Sequence, residues 1–493
     1  MKINTDEEIS GFGEAGIAYD CIGASAAYGI IKDIAKLLIG KNPMNTESIW
    51  NMLQKRTFWG QTAGPIISSG LSASDMALWD IKGKYYNAPL YQLLGGKCRE
   101  SLRTYASQIH SGWVSIRKAL SHPDEYAQAA LEAVEGGYDC IKVDPLTFNN
   151  DRQILGWDLN GLLSYGQMTT GYNRLEAIRK AVGPAVDIIV ELHALTDANT
   201  AVQFGRAIED LNIFMLEEPV MPINPKMMKF VKDNVKIPIA SGERIYTWWS
   251  YVPFFEDRSL SIAQPDFCTC GGVSEGKKIY DMAHAYDIAI QGHVCGGPIA
   301  TAVALHIEAA IPNFIIHEHH RMALMDHIRE ICTYDYQPVK GKFQVTELPG
   351  IGQELTREAM ENASEKLELS ESNYKAMGAF GGGVSCEHLC GAISGGVAAI
   401  STLINKGDEE SLNLAKEKTV VYFNGMKEAF GSVLCADIMP VWRKEDTRCF
   451  AVVHKASQLL DEILNKEKNK FYCSALSTAS KPVRHIKIPV AQG

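Results

Sequence analysis

Short apolar runs recur along the middle of this chain, and each closes on a carboxylate or a histidine. VDIIVE ends at Glu191, IFMLE at Glu217, IPIASGE at Glu243, LSIAQPD at Asp266, DIAIQGH at His293 and FIIHE at Glu318. Successive closing residues lie 26, 26, 23, 27 and 25 positions apart, the length of a strand, a loop, a helix and a return loop. The pattern predicts a repeating βα lattice with each polar group at the C-terminal end of its strand. LRTYAS (102–107) and DCIKVD (139–144) supply two further strands ahead of these six. Eight such units predict a (β/α) barrel whose strand ends converge on one chemically active face. From Lys142 to Glu191 is 49 residues, about twice the usual step. The excess, PLTFNNDRQILGWDLNGLLSYGQMTT, reads as a long loop at that same face, placed to shape a pocket.

Outside this lattice the patterns change. KINTDEEISGFGEAG reads as two short strands around an Asp-Glu-Glu turn, followed by helical patterns at 25–39 and 45–54. SASDMALWDIKGKYY reads as a strong helix, capped by Ser72 or Ser74. Residues 1–101 are thus a small α+β domain ahead of the barrel. GKFQVTELPGIGQEL (341–355) reads as a strand and a Pro-Gly turn, and the polar stretch 356–372 as a linker. From 373 the chain turns glycine-rich, with Cys386 and Cys390 four apart. Helical patterns follow at 391–405, 409–433 and 445–467, with Cys435 and Cys449 flanking the last connection. The basic tail (471–493) is expected to be loosely attached.

At 493 residues the chain calls for two or three domains. A net charge of -10 argues against a nucleic-acid partner. No apolar stretch is long enough to span a bilayer, and MKINTDEEIS lacks the apolar core of a secretory signal. Twelve cysteines in such a chain point to reduced thiols and a cytoplasmic protein.

The chemistry follows from the strand ends. Glu191, Glu217 and Glu243 close three consecutive strands. Three carboxylates on adjacent strands suit a hard, octahedral cation that keeps positions for substrate oxygens, which makes Mg²⁺ the natural candidate. Without a cation they would repel one another and be driven toward protonation. Asp266 and His293 close the next two strands; an Asp beside a His fixes its tautomer and makes a general base. His193, two residues beyond Glu191, shares its face and enters the same pocket. Lys142 and Asp144 share that parity on the second strand. Glu318 closes the ring and, if protonated, could donate a hydrogen bond to a substrate oxygen. Arg244 and Asp144 are candidate substrate-binding residues, and Phe58 and Trp59 could line the pocket. His317, His319 and His320 alternate between faces and are not expected to gather a second metal. Cys268 and Cys270 read as loop residues.

As a set, ELH, EEP, GER, QPD, GHVCGGP and the terminal HE, each a strand apart, resemble the mandelate racemase/muconate lactonizing group of the enolase superfamily over residues 5–355. The resemblance implies a modified TIM barrel (102–325) with an α+β capping domain (1–101) to which the chain returns at 326–355. The family's first capping strand and mobile loop are expected to be missing from this sequence. It further implies Mg²⁺ on Glu191, Glu217 and Glu243, the His293–Asp266 pair as base, Glu318 as a stabiliser of the intermediate, and His193 as acid. Within the group the signatures look most like galactonate-type dehydratases. Glu191 stands where the family usually has Asp, and Asp144 stands where the racemases have a second lysine. Residues 373–470 resemble the small helical proteins with a C-GCAxxG-C-C pattern. That likeness implies that Cys386, Cys390, Cys435 and Cys449 form disulfides or hold a metal.

The expected protein is an α/β enzyme, an Mg²⁺-dependent hydro-lyase taking a small sugar acid to a 2-keto-3-deoxy acid, and a homo-oligomer. Epimerisation or lactone cycloisomerisation at the same site is the alternative. A further one is an inactive barrel carrying a redox or metal-binding cysteine domain.

Overall fold

A computed structural model describes residues 1–17, 22–113, 118–154, 161–364, 389–404, 408–442, 449, 451–460 and 462–463. The chain divides into two compact units, Met1–Met360 and Glu361–Arg484.

In the first unit, β1 (Lys2–Asn4) and β2 (Ser10–Phe12) pair antiparallel around the Asp-Glu-Glu turn, with Ile3 opposite Gly11. Helices Ala24–Leu38 and Thr46–Arg56 follow as the patterns predict. The third helix starts earlier than the sequence suggests, at Pro65, and runs to Tyr85. Proline suits the first turn, where its missing N–H would have no helical partner. Ser72 and Ser74 are therefore interior residues, not caps; their hydroxyls donate to the carbonyls of Ser68 and Gly70, each at 2.8 Å. This helix is buried along most of its length because it lies between the cap and the barrel. Asp75 accepts from the amide of Ser274 at 2.8 Å and from its hydroxyl at 2.7 Å, and Trp79 Nε1 donates to the same hydroxyl at 2.9 Å.

The barrel strands are β3 (Ser101–Ser107), β4 (Cys140–Val143), β5 (Asp187–Glu191), β6 (Met215–Glu217), β7 (Ile239–Ser241), β8 (Ile262–Ala263), β9 (Ala289–Ile290) and β10 (His317–His320). Consecutive strands from β3 to β9 pair in parallel. β10 pairs in parallel with β3, and an Ile290–Phe314 bridge joins the β9 side, so the ring closes. Tyr105, Cys140, Ile189, Met215, Ala240, Ile262 and Ile316 form one interior apolar layer, almost one residue per strand. Two residues further on, the same inward parity presents Ser107, Lys142, Glu191, Glu217 and Glu318. Period-two alternation thus converts an apolar plug into a polar floor within one step along each strand. β11 (Lys342–Gln344) runs antiparallel to β3, and the chain returns to the cap, where Asp80 accepts from the Ile351 amide at 2.9 Å.

The second unit contains helices Gly391–Ile404, Glu409–Phe430 and Cys435–Trp442 and a helical stretch at 451–460. They pack through Ile393, Ile400, Tyr422, Met426, Ile438 and Val452. The short helix beginning at Cys435 replaces part of the predicted connection. Cys386, the second part of the linker (365–372) and the tail lie outside the described residues. No described helix is long and apolar enough to cross a membrane.

Candidate active site

The strand ends bring the predicted acids together. Glu191, Glu217 and Glu243 each offer an oxygen within 4.8 Å of the others, the one such cluster of potential ligands among the described residues. Glu191 and Glu217 face each other across the β5–β6 register. Glu243 sits two residues past β7, after Gly242. Lys142 reaches into the cluster from β4. Its Nζ lies 2.6 Å from Glu217, 2.9 Å from Glu318 and 3.4 Å from Glu191. Burial opposes its charge, but these carboxylates overcome the penalty and raise the lysine's pKa well above its ordinary value. One lysine does not balance the cluster. Burial and the neighbouring Glu191 push the Glu217 carboxyl well above the usual range. Glu191 Oε2 and Glu217 Oε2 are buried without a hydrogen-bond donor among the described residues. Three carboxylates gathered this closely, two of them with a buried oxygen that makes no hydrogen bond among the described residues, fit a hard divalent cation.

His293 follows β9, and its Nδ1 lies 2.7 Å from Asp266 Oδ2. Its Nε2 stands 3.2 Å from Glu243 Oε2. Burial opposes the imidazolium, but Glu243, Asp266 and Glu318 outweigh it and hold the pKa well above 6.5. His193 makes the matching pair: its Nδ1 lies 2.8 Å from Asp144 Oδ2. Burial lowers its basicity, whereas Glu191 and Asp144 raise it to about 10. In the order of the ring β5 and β9 are four strands apart, so the two His–Asp pairs enter from opposite sides of an eight-strand barrel.

His193 and Ala194 have φ of 48° and 50°, a left-handed turn seldom adopted by residues with side chains. The turn is held by the Ala194 amide on Glu218 O at 2.7 Å and by Arg244 on His193 O at 2.9 Å. Such local strain is typical of residues that a fold holds for function.

The structure gives several of the predicted residues partners within the protein. Asp144, expected to bind substrate, is the partner of His193. Arg244, expected likewise, commits its guanidinium to Glu218 and to the His193 carbonyl. Trp59 is 83% exposed, packed edge-on against Phe58. Glu318 does not donate. It accepts from Ser107 Oγ at 2.7 Å, from Lys142 and from the Val294 amide at 2.9 Å. Burial favours its protonation, yet Lys142 and His293 hold it well below the ordinary carboxylate range. His317 and His319 turn outward to Glu308 and Tyr138, whereas His320 turns to Cys295.

Three participants carried a signal that was not used. Ser107 ends β3, so the strand-end rule applied to it. Glu218 is the second acid of the Glu-Glu-Pro run. His110, whose Nδ1 accepts from the Asp144 amide at 3.1 Å, lies on a short turn just after β3. In the second unit, Cys390 and Cys435 are buried and Cys449 is partly exposed.

Comparison with known proteins agrees with this geometry. Residues 125–359 match the family described as "Enolase C-terminal domain-like", and residues 1–95 match the "Mandelate racemase / muconate lactonizing enzyme, N-terminal domain". Residues 357–463 match the family described as "Putative redox-active protein (C_GCAxxG_C_C)". A D-galactonate dehydratase of Variovorax paradoxus is 31% identical over 372 residues, covering 74% of this chain and 90% of that protein. One from Pectobacterium atrosepticum is 30% identical over 366 residues, covering 73% and 88%. The crystal structure of a member of the enolase superfamily from Salmonella Typhimurium superposes with a TM-score of 0.72 at 57% identity, covering 73% of this chain and 93% of that one. The chain belongs to the enolase superfamily, and within it to the mandelate racemase/muconate lactonizing enzyme group.

Proposed function

We propose that the barrel catalyses Mg²⁺-dependent dehydration of a sugar acid to a 2-keto-3-deoxy acid. The observation that carries this reading is the presence of two His–Asp pairs on opposite sides of the Glu191, Glu217 and Glu243 cluster. The dehydratase names of the curated relatives support the choice of reaction class.

Glu191, Glu217 and Glu243 would hold the metal. Bound there, Mg²⁺ supplies Lewis-acid stabilisation to a substrate carboxylate and, by neutralising Glu243, weakens the largest attraction holding a proton on His293. His293 takes the α-proton, with Asp266 fixing its tautomer. Lys142, steadied by the ionised Glu318, balances charge that builds on the substrate. His193 gives its proton to the β-hydroxyl, which leaves as water, and the resulting enol tautomerises to the 2-keto acid. Asp144 cannot act as a lysine base. A second reading rests on the same two histidines: with one on each side, they could also pass a proton across a single carbon and epimerise it. Incubation with a library of sugar acids and Mg²⁺, detecting 2-keto acids, tests the proposal. Interconversion of epimers without a keto product would replace dehydration with the second reading.

For the second unit we propose a thiol function shared among Cys386, Cys390, Cys435 and Cys449. The support is local: the Leu389–Leu434 bridge and the Cys390 amide on Val433 O at 2.9 Å set Cys390 and Cys435 on adjoining segments.

A further inference from the structure

The base stands on a segment with little regular structure. Residues 291–297, Gln-Gly-His-Val-Cys-Gly-Gly, link β9 to helix Pro298–Ala310 with no strand or helix of their own. Three glycines in seven residues leave this segment many conformations to lose on folding. A catalytic base requires the opposite, since a displacement of about 1 Å can cost on the order of 10²-fold in rate.

Two carboxylates, one fully buried and one partly buried, meet this segment at its two ends. At the first, Glu308 Oε1 accepts from the Gly292 amide at 3.1 Å, beside His293. The other oxygen of Glu308 lies 2.5 Å from His317 Nδ1, next to Glu318 on β10. One carboxylate, itself fully buried, thus references both the base segment and the strand bearing Glu318. At the far end, Glu14 of the capping segment reaches across 283 positions of sequence. Its Oε1 accepts from the Gly297 amide at 2.5 Å, and its Oε2 from the Ala300 amide at 3.1 Å.

The glycines give an independent reason to connect these contacts. A Cβ built at Gly292 would lie 2.7 Å from Glu308 Oε1. One built at Gly297 would lie 3.0 Å from Glu14 Oε2, and one at Gly296 3.0 Å from Glu14 Oε1. Gly297 has φ -84°, which any residue adopts, so its backbone does not require glycine. What it accommodates is the approach of the glutamate. Neither carboxylate touches the Glu191, Glu217 and Glu243 cluster in any hydrogen bond or ion pair found among the described residues.

We infer that Glu14 and Glu308 are positioning residues for His293, pinning the two ends of the 291–297 segment so that the base is held in place from the cap on one side and the barrel wall on the other. The role rests on the reading of His293 as the base; the pinning itself does not.

The test uses the full-length chain and its Glu14→Gln and Glu308→Gln variants. Hydrogen–deuterium exchange read by mass spectrometry over 289–300 needs no substrate. Each variant is expected to exchange at least about 10-fold faster in that peptide, while peptides over β4–β6 keep the wild-type rate. With a turned-over sugar acid, kcat is expected to fall about 10²-fold with KM changed less than about threefold, the pattern of a misplaced base with binding intact. Because Glu308→Gln alters the buried contact with His317 and could fail to fold, Gly297→Ala is a second probe of the Glu14 end. Its added methyl crowds Glu14 and should raise exchange in the same peptide in the folded protein. Unchanged exchange in Glu14→Gln and Gly297→Ala overturns the inference. If exchange rises but no sugar acid is turned over by wild type, the pinning stands and the dehydratase reading fails.

Discussion

Asp144 Oδ2 lies 2.8 Å from His193 Nδ1, although 49 residues separate them in sequence. The contact turns a residue at the end of β4 into the orienting partner of a histidine beyond β5. It also gives the barrel a second His–Asp pair to set against His293 and Asp266.

Loss of that partner should impair the acid more than the base. Asp144→Asn is expected to lower keto-acid formation about 10²-fold or more. Exchange of the substrate's α-proton with D₂O should continue at a rate within about threefold of wild type, because His293 is untouched. Proton NMR of the substrate in D₂O follows both. Equal losses of exchange and elimination would remove the acid role from the pair.

His293→Asn should stop both processes by about 10³-fold or more, since His293 is the residue assigned to take the proton. His193→Asn should stop water loss while α-proton exchange persists. A His193→Asn enzyme that dehydrates at the wild-type rate would show that another group protonates the hydroxyl.

Metal binding should be visible in stability without any substrate. At a Mg²⁺ concentration 100 times its Kd, binding to the folded state alone stabilises by about 2.7 kcal/mol. Glu217→Gln is expected to abolish the resulting rise in Tm, and removing the ion with a chelator should reproduce the loss in wild type. A variant whose Tm still climbs with Mg²⁺ would show that the ion sits elsewhere.

Asp75 ties the cap to the barrel, and burial raises its pKa to about 7, above the 3.8 of an ordinary aspartate. Between those values the folded protein holds a proton that the unfolded chain has released. Stability contributed by this group is therefore fully present below about pH 4 and is lost as pH rises toward 7. Asp75→Asn should flatten that part of the Tm–pH curve. A variant with the full wild-type slope between pH 5 and 7 would place the titration at another group.

The cysteines of the second unit should respond as a set. Anaerobically purified protein is expected to show either bound soft metal by elemental analysis or a drop in titratable thiols on mild oxidation. No metal and an unchanged thiol count would leave Cys390, Cys435 and Cys449 as ordinary structural cysteines.

Much of this site was legible along the chain. Strand periodicity is local: in any barrel strand the residue two beyond an inward apolar side chain also faces inward. Glu191 after Ile189, Glu217 after Met215 and Lys142 after Cys140 could therefore be assigned to the polar floor without coordinates. Their chemical type then named a hard cation, and the motif set named the family. What the side chains touch was decided only by tertiary structure. Asp144 meets His193, Arg244 turns to Glu218, and Glu318 is held well below the ordinary carboxylate range because Lys142 and His293 lie beside it. Trp59, expected from the sequence to line the pocket, stands in solvent. Such outcomes depend on how the barrel closes and on the paths of its loops. The charge state of a buried carboxylate is then the balance of desolvation against whichever charges that closure brings near, and no stretch of sequence contains both sides of that balance.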